Sequence, residues 1–210
     1  EDGAYFSTKL ITTGIVYNTA ATMIPSSWQD LLTAEAENQI AMPSPLTSGA
    51  ALIHTATLTE NLADGWDYYS ALAANGAQAS GGNGGVLTAV AGGEKLYGMI
   101  VDYMPIREAA NGAPVAFVFP EEGVSAVTEP AAILQSAENP ENAKLFIDFL
   151  LSEEGQQLAA SQGYIPARDG IALPAGYPDR SSINVLGYDA AVALANEQAN
   201  RDRFGEIFGQ

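Results

Sequence analysis

The sequence contains no cysteine and only one histidine, His54. The absence of cysteine excludes a disulfide framework, a thiolate metal site and a thiol nucleophile. A single histidine cannot build a multi-histidine zinc site, and it gives a histidine-dependent catalytic triad little support. The sequence therefore predicts no metal centre.

Basic residues are also scarce: 8 Lys and Arg stand against 25 Asp and Glu, for a formal net charge of −17. Such a chain is a poor partner for nucleic acid, whose phosphates are neutralised by Lys and Arg, and it is repelled by anionic lipid. The chain is 47% hydrophobic and 16% charged, a composition typical of folded proteins. No run of about 20 apolar residues predicts a membrane span. At about 150 residues per domain, the 210 residues make one domain or two small ones.

Strand-like and helix-like segments alternate along the chain. Runs rich in Ile, Val and Thr predict strands at 10–17, 39–42, 96–101, 114–119 and 125–135, the last broken by Pro130. Helical periodicity predicts helices at 49–60, 62–75, 85–91, 104–110, 140–151, 153–162 and 188–204. This order is typical of an α/β fold with a mixed, mostly parallel sheet flanked by helices. In the helix at 140–151 we expect one buried face, formed by Ala143, Phe146, Ile147, Leu150 and Leu151.

Thr47, Ser48 and Gly49 follow a predicted strand and open a predicted helix. Two hydroxyl groups and several unpaired N–H groups then lie at the positive end of a helix dipole, which suits the oxygens of a phosphate, phosphonate, sulfate or carboxylate. The alternative is an ordinary N-cap, which a Ser or Thr at a helix start usually is. Spacing alone leaves both interpretations open.

Two further segments have a functional and a structural interpretation. The glycine run GGNGG at 81–85 matches neither a dinucleotide fingerprint nor a P-loop, so no cofactor is predicted; it is a flexible loop or presents N–H groups to a ligand. Asp102 ends the most strand-like run, where ligands of open α/β sheets bind, and it also precedes a helix that it can cap. Glu121 and Glu122 end another strand and are either solvated or turned toward a cleft.

Serine hydrolase chemistry has weak support. The sequence contains no G-x-S-x-G motif. Ser48 and His54 are six residues apart on one predicted helix, on different turns, so we do not expect them to meet. We expect His54 to be a packed or surface residue rather than a base.

Several strings agree in order and spacing with one family over about residues 20–168. They are PSSWQDLL at 25–32, PSPLTSGAAL at 43–52, GWDYYSALAANGA at 65–77, the glycine loop GGNGG at 81–85, GGEKLYGMIVDY at 92–103, GAPVAFVFPEEG at 112–123, ENPENAKLFIDFLLSEEGQQLA at 138–159 and YIPAR at 164–168. The chain resembles the solute-binding proteins of ABC transporters, in the branch of iron(III), phosphonate and sugar-phosphate receptors. The resemblance implies a periplasmic-binding-protein-like type 2 fold, whose two lobes close on a ligand.

The resemblance also implies a division of the chain. Residues 1–13 form a hinge-side segment, 14–122 the second lobe, 123–168 a segment returning to the first lobe, and 169–210 a C-terminal loop and helix. Family members begin with a signal sequence and a lobe-forming segment that have no counterpart here, so we expect a fragment lacking most of the N-terminal lobe. We expect residues 124–165 to pack differently from those of a full receptor or to pair with another chain.

Carried over residue by residue, the family's ligand contacts fall on Thr47, Ser48, Gly49, Asn83, Asp102, Tyr103 and Glu122. Iron-binding relatives use two neighbouring tyrosines after the strand that matches 96–101, whereas this chain has Tyr103 alone. Because ferric iron prefers several anionic oxygen ligands, the resemblance favours an organic anion. An aspartate beside the anion site suggests a zwitterion or a polyol.

The resemblance thus implies a non-enzymatic receptor for a small anionic or zwitterionic solute, such as a phosphonate or a sugar phosphate. Its partners are the transmembrane permease subunits of an ABC importer, and its location is periplasmic or extracellular, with or without a lipid anchor. The alternatives are a ferric-iron receptor of the same fold, a signalling sensor domain and, least favoured, a hydrolase that uses Ser48.

Overall fold

The computed structural model describes residues 5–210, which form two compact units. The large unit contains Thr12–Ala126 and Ser181–Gln210. The small unit contains the described residues up to Ile11 together with Val127–Arg180. Residues 1–4 of the predicted hinge-side segment lie outside the described residues, and the predicted boundaries after residues 13, 122 and 168 stay predictions.

The described residues form strands and helices in alternation, as predicted. The strands are β1 (Tyr5–Asn18), β2 (Ile40–Met42), β3 (Gln78–Ala79), β4 (Tyr97–Val101), β5 (Val115–Val118), β6 (Ser125–Ala132) and β7 (Ile165–Pro166). The α-helices are α1 (Gly49–Asn61), α2 (Trp66–Ala74), α3 (Asn83–Ala91), α4 (Tyr103–Ala110), α5 (Pro140–Leu151), α6 (Glu153–Ser161), α7 (Ala190–Ala195) and α8 (Glu197–Phe208). Short 3₁₀ helices lie at Trp28–Leu32, Ala34–Ala36 and Arg180–Ser182. No helix among these residues is long and apolar enough to cross a membrane.

The sheet of the large unit has the strand order β3-β2-β4-β1-β5. Strand β2 is parallel to β3 and to β4, whereas β1 is antiparallel to both β4 and β5. The α/β class with a mixed sheet is therefore confirmed. The predicted excess of parallel pairs is not found, because the long strand β1 lies inside the sheet and runs opposite to the strands on either side.

The hydrophobic core of the large unit lies between this sheet and its helices. Its largest fully buried side chains include Trp28, Tyr69, Leu72, Tyr97 and Phe204. Gly98 in β4 is required by close packing, because a Cβ there would lie 2.6 Å from Val86 Cγ1 of α3 and 3.0 Å from the Ala41 carbonyl oxygen of β2. The strands and helices that carry the candidate site thus rest on a dry, tightly packed base.

The small unit is built from the first half of β1, β6, β7, α5 and α6. Strand β7 pairs antiparallel with β1, at Lys9↔Pro166 and Leu10↔Ile165. The buried side chain of Gln156 ties α6 to the chain around it, because its Nε2 donates to the Thr8 carbonyl and its Oε1 accepts from the Ala167 N–H, both at 2.7 Å. The small unit is thus held together by polar contacts as well as by apolar packing.

The predicted buried face of α5 is only partly found. Ile147 is buried, and Ala143, Leu150 and Leu151 are half-buried. Phe146 is 61% exposed, so its predicted burial is wrong. The helical period identifies the apolar face of a helix, but burial also requires a second element to cover that face.

Several element boundaries also differ from the predictions: β1 begins at Tyr5 rather than at residue 10, and α3 begins at Asn83 rather than at residue 85. Helix α2 begins at Trp66 rather than at residue 62, because Gly65 precedes it with a φ of 51°, which a helix cannot continue. Strand β6 runs through Pro130, which is exposed, as a proline at the edge of a sheet must be. The predicted C-terminal helix is two helices, which are separated at Asn196.

Candidate functional site

Three helices of the large unit begin at the same edge of its sheet. Helix α1 follows β2, α3 follows β3 and α4 follows β4, and these three strands run parallel. Their helices must therefore start at the carboxyl edge, where the ligands of α/β sheets bind. We call this the helix-start site: Thr47–Gly49 at α1, Gly81–Gly85 at α3, and Asp102 and Tyr103 at α4.

At the start of α1, a side chain caps one backbone N–H group, and two others have no hydrogen-bond acceptor among the described residues. Ser48 is the N-cap, and its Oγ accepts from the Ala51 N–H at 3.3 Å. No described residue accepts a hydrogen bond from the Gly49 or Ala50 N–H. Gly49 is exposed, and a Cβ there would meet nothing within 4 Å, so there is room for a ligand beside it. Both the N-cap and the anion-site interpretations therefore fit the geometry, since the cap uses a different amide.

The start of α3 carries no side-chain cap. Its N-cap is Gly82, and a Cβ at Gly81, Gly82, Gly84 or Gly85 would meet nothing within 4 Å. Thr47 Oγ1 donates to the Gly81 carbonyl at 3.1 Å, which joins this loop to the start of α1. Asn83 Oδ1 accepts from the Val101 N–H at 3.1 Å, which joins it to the end of β4. Hydrogen bonds at Gly81 and Asn83 thus hold the glycine run in place, and its glycines have open space beside them.

Asp102, at the start of α4, is fully buried. Its Oδ1 accepts from the Tyr103 N–H at 2.7 Å, so it caps the helix. Its Oδ2 accepts from both the N–H and the hydroxyl of Thr12, at 2.9 and 2.7 Å. In this arrangement the carboxylate presents no exposed oxygen to a solute. Tyr103 is half-buried, and its ring centroid lies 5.8 Å from the Arg107 guanidinium carbon.

Glu122 belongs to a different polar cluster. Its Oε1 accepts from the Ser27 hydroxyl at 2.5 Å, and its Oε2 accepts from the Trp28 N–H at 3.2 Å. The carboxylate therefore caps the 3₁₀ helix Trp28–Leu32. Of the seven predicted site residues, the structure brings six to the helix-start site and places Glu122 against this 3₁₀ helix.

His54 lies in the interior of the large unit, packed on the Trp28 ring at 4.9 Å between centroids. Burial lowers the pKa of His54 to about 3, so the side chain is neutral at physiological pH. Its Nδ1 lies 2.8 Å from Ser125 Oγ, and its Nε2 has no partner among the described residues. Since Ser48 caps α1 and His54 pairs with Ser125, the two residues do not form a nucleophile and base.

Sequence reasoning missed the partners that hold these residues in place. Thr12 is 90 residues from Asp102, Ser27 is 95 from Glu122, and Ser125 is 71 from His54. Thr12 and Ser125 lie in segments without a motif, and Ser27, although it lies in the string PSSWQDLL, has no local signal that pairs it with Glu122. No group of three or more His, Asp or Glu side chains in residues 5–210 is placed to hold a metal ion.

The sequence profile of the bacterial extracellular solute-binding proteins matches residues 1–193. The chain belongs to this family. Solute-binding proteins are also what it resembles in structure, and the family and the fold are those of binding proteins rather than enzymes. The predicted recognition is thereby confirmed.

The relatives that the chain matches are longer than the region matched. A Haemophilus influenzae protein of uncharacterised function is 32% identical over 181 residues, which are 83% of this chain and 52% of that protein. The periplasmic binding protein AfuA of Actinobacillus pleuropneumoniae, solved with fructose 6-phosphate, is 25% identical with a TM-score of 0.77, over 98% of this chain and 66% of that one. A substrate-binding protein of an ABC transporter from Agrobacterium tumefaciens is 16% identical with a TM-score of 0.84, over 98% and 66%. The chain thus spans about half to two thirds of the relatives it matches.

Proposed function

We propose that the large unit is one half of a solute receptor of an ABC importer, and that its helix-start site binds the oxyanion of a phosphate ester or phosphonate. The observation that carries the proposal is the meeting of three helix N-termini at one sheet edge, two of which carry exposed glycines with open space beside them. Such N–H groups bind anions through directed hydrogen bonds and helix dipoles. The net charge of −17 does not oppose this, because the local amides rather than the whole chain contact the anion.

In this proposal, the direct contacts come from Thr47, Ser48, Gly49, Asn83 and Tyr103. Asp102 acts on the site through the Tyr103 N–H and Thr12, whose hydrogen bonds its oxygens accept, whereas Glu122 accepts from Ser27 and Trp28 and lies outside the helix-start site. A sugar phosphate is the solute class that we favour, and the fructose 6-phosphate bound to AfuA supports it.

Ferric iron is the second candidate, since ferric binding proteins of Bordetella and Campylobacter jejuni share the fold at 19% identity. The helix-start site is less suited to it. Among the predicted site residues, Tyr103 is the one phenol and Asp102 is fully buried, whereas ferric iron prefers several anionic oxygens.

The wider setting is also a proposal. The full protein acts with ABC permease subunits in the periplasm or outside the cell, with or without a lipid anchor. For the small unit we propose pairing with another chain. Its support is the exposure of large apolar side chains on this unit, among them Leu134 at 72%, Leu145 at 67% and Phe146 at 61%.

Calorimetric titration with fructose 6-phosphate, aminoethylphosphonate and ferric citrate tests the solute class. The sharpest variant is Gly49→Asp, which adds a negative charge where a Cβ meets nothing. A carboxylate in the first turn stabilises a helix but repels an anion, so we expect affinity to fall about tenfold or more without loss of stability. Gly49→Ala is the matched control, because it also replaces glycine but adds no charge. Binding of ferric citrate alone, with a red colour, would overturn the phosphate proposal.

A further inference from the structure

Two strands pass from the large unit into the small one. Strand β1 leaves the large unit at Thr12 and β6 leaves it at Ala126. Beside each of these points, inside the large unit, a buried hydroxyl is held by a buried polar side chain. Asp102 is the N-cap of α4 and His54 lies within α1, and both helices begin at the helix-start site.

On β1 the attachment is made by three hydrogen bonds. Asp102 Oδ2 accepts from the Thr12 N–H at 2.9 Å and from its hydroxyl at 2.7 Å. The Asp102 N–H donates to the Thr12 carbonyl at 2.8 Å. Thr12 is 1% exposed and Asp102 is 0% exposed, so water cannot replace these bonds. A buried carboxylate left without its donors costs several times the net value of an ordinary hydrogen bond.

On β6 the attachment is the 2.8 Å contact between Ser125 Oγ and His54 Nδ1. Ser125 is 1% exposed and His54 is 3% exposed. His54 lies in the middle of α1, whose first residue is Gly49. A shift of β6 at Ser125 is therefore passed to the helix that presents its N-terminus to the candidate site.

We propose that Asp102 and His54 are positioning residues that fasten the two crossing strands to the helices of the helix-start site. The fastening fixes where each strand leaves the large unit, and it joins that point to the start of α4 and to α1. Its consequence for solute affinity rests on the proposed function, but the fastening itself is a property of the solute-free chain.

The test measures how freely the two units move. Because the sequence has no cysteine, spin labels can be placed uniquely at Glu60→Cys in α1 and Asp148→Cys in α5, both exposed positions. Pulsed electron–electron double resonance then gives the distribution of distances between the two spin labels, with no solute present. We expect Thr12→Val and Ser125→Ala, introduced separately, each to broaden this distribution.

Thr57→Val is the matched control. Thr57 is 0% exposed and its hydroxyl donates to the Ile53 carbonyl at 2.8 Å, a bond within α1 that involves neither β1 nor β6. It removes a buried threonine hydroxyl as Thr12→Val does, so it should lower stability without broadening the distribution. Thr12→Ser keeps the hydroxyl and should retain the width of the unmodified chain.

Equal widths for Thr12→Val, Ser125→Ala and Thr57→Val would overturn the proposal. Two crossing strands provide two independent variants, so that a Thr12→Val chain that fails to fold still leaves the Ser125→Ala result decisive. Since no solute is added, the outcome does not depend on whether the helix-start site binds an anion.

Discussion

The two units of the chain differ in how completely they bury their apolar residues. In the large unit, Trp28, Tyr69, Leu72 and Phe204 are 0–1% exposed and join one continuous core. The small unit buries Ile147 and Ile165 but leaves seven large apolar side chains between 38% and 72% exposed, namely Tyr5, Phe6, Leu134, Leu145, Phe146, Phe149 and Leu158. The large unit also leaves five such side chains exposed, namely Ile24, Val185, Tyr188, Val192 and Leu194, but relative to its size the small unit has more apolar surface left to cover.

This difference bears on function. The helix-start site lies on the unit with the complete core, where side chains such as Asp102 and Asn83 hold helix starts in place by hydrogen bonds to neighbouring strands. A preorganised site needs such support because each amide must already point to the ligand. We therefore predict that the large unit fixes the geometry of solute binding and that the small unit mediates association with another chain.

The largest expected effect at neutral pH is on stability, from truncation of one leucine in each unit. Leu72→Ala removes a side chain that is 0% exposed in the core, and we expect it to lower the free energy of unfolding by about 3 kcal/mol. Leu145→Ala changes a side chain that is 67% exposed and should cost less than about 0.5 kcal/mol. Urea denaturation followed by circular dichroism measures both, and equal losses would contradict the comparison.

The next effect concerns pH and the large unit. The pKa of His54 is about 3 when folded and 6.5 in the unfolded reference, so the unfolded chain takes up the proton first as pH falls. The free energy of unfolding is therefore unaffected by His54 titration above pH 6.5, and it decreases as pH falls from 6.5 toward 3, because the unfolded chain binds a proton that the folded chain does not. We expect the stability advantage over His54→Gln to shrink by about 1.4 kcal/mol per pH unit in that window.

Urea titrations of both chains at several pH values provide the check. The comparison between the two chains cancels the titration of the carboxylates, which they share. A difference in unfolding free energy that stays constant from pH 7 to pH 4 would show that His54 is not held neutral in the interior.

The smallest expected effect is on weak self-association through the small unit. Leu145→Ser removes an apolar side chain that is 67% exposed there, and Leu194→Ser removes one that is 73% exposed on the large unit. We expect the first to shift the monomer–dimer balance toward monomer and the second to leave it unchanged. Sedimentation velocity over a range of concentrations measures this balance, and a monomer at every concentration would contradict pairing between copies.

Much of the fold could be predicted from the sequence because its signals are local. Helix α1 begins at Gly49 after a Ser N-cap, and β4 is a continuous apolar run, as expected of a strand that is buried on both faces. The same reasoning placed Thr47, Ser48 and Gly49 at a helix start and Asp102 at a strand end, and the family resemblance added Asn83 and Tyr103. That they share one edge follows from the parallel direction of β2, β3 and β4.

The rest depends on contacts that sequence patterns do not encode. The direction of β1 and the burial of Asp102 depend on pairings across about 90 residues, and the place of Glu122 depends on Ser27. Phe146 has the period of a buried residue, but its exposure depends on whether another surface covers α5. Asp102 looked like a ligand-facing carboxylate because its partner Thr12 lies in a strand without any motif.

The central claim is that the open amides of the helix-start site bind an oxyanion, and mapping of amide chemical shifts tests it most directly. The isotopically labelled chain is titrated with fructose 6-phosphate and, in parallel, with inorganic phosphate and with fructose. We predict that both phosphates shift the amide signals of Gly49 and Gly84, that fructose does not, and that Gly49→Asp abolishes the shifts. Phosphate-induced shifts that bypass both glycines, or no shifts at all, would contradict the account.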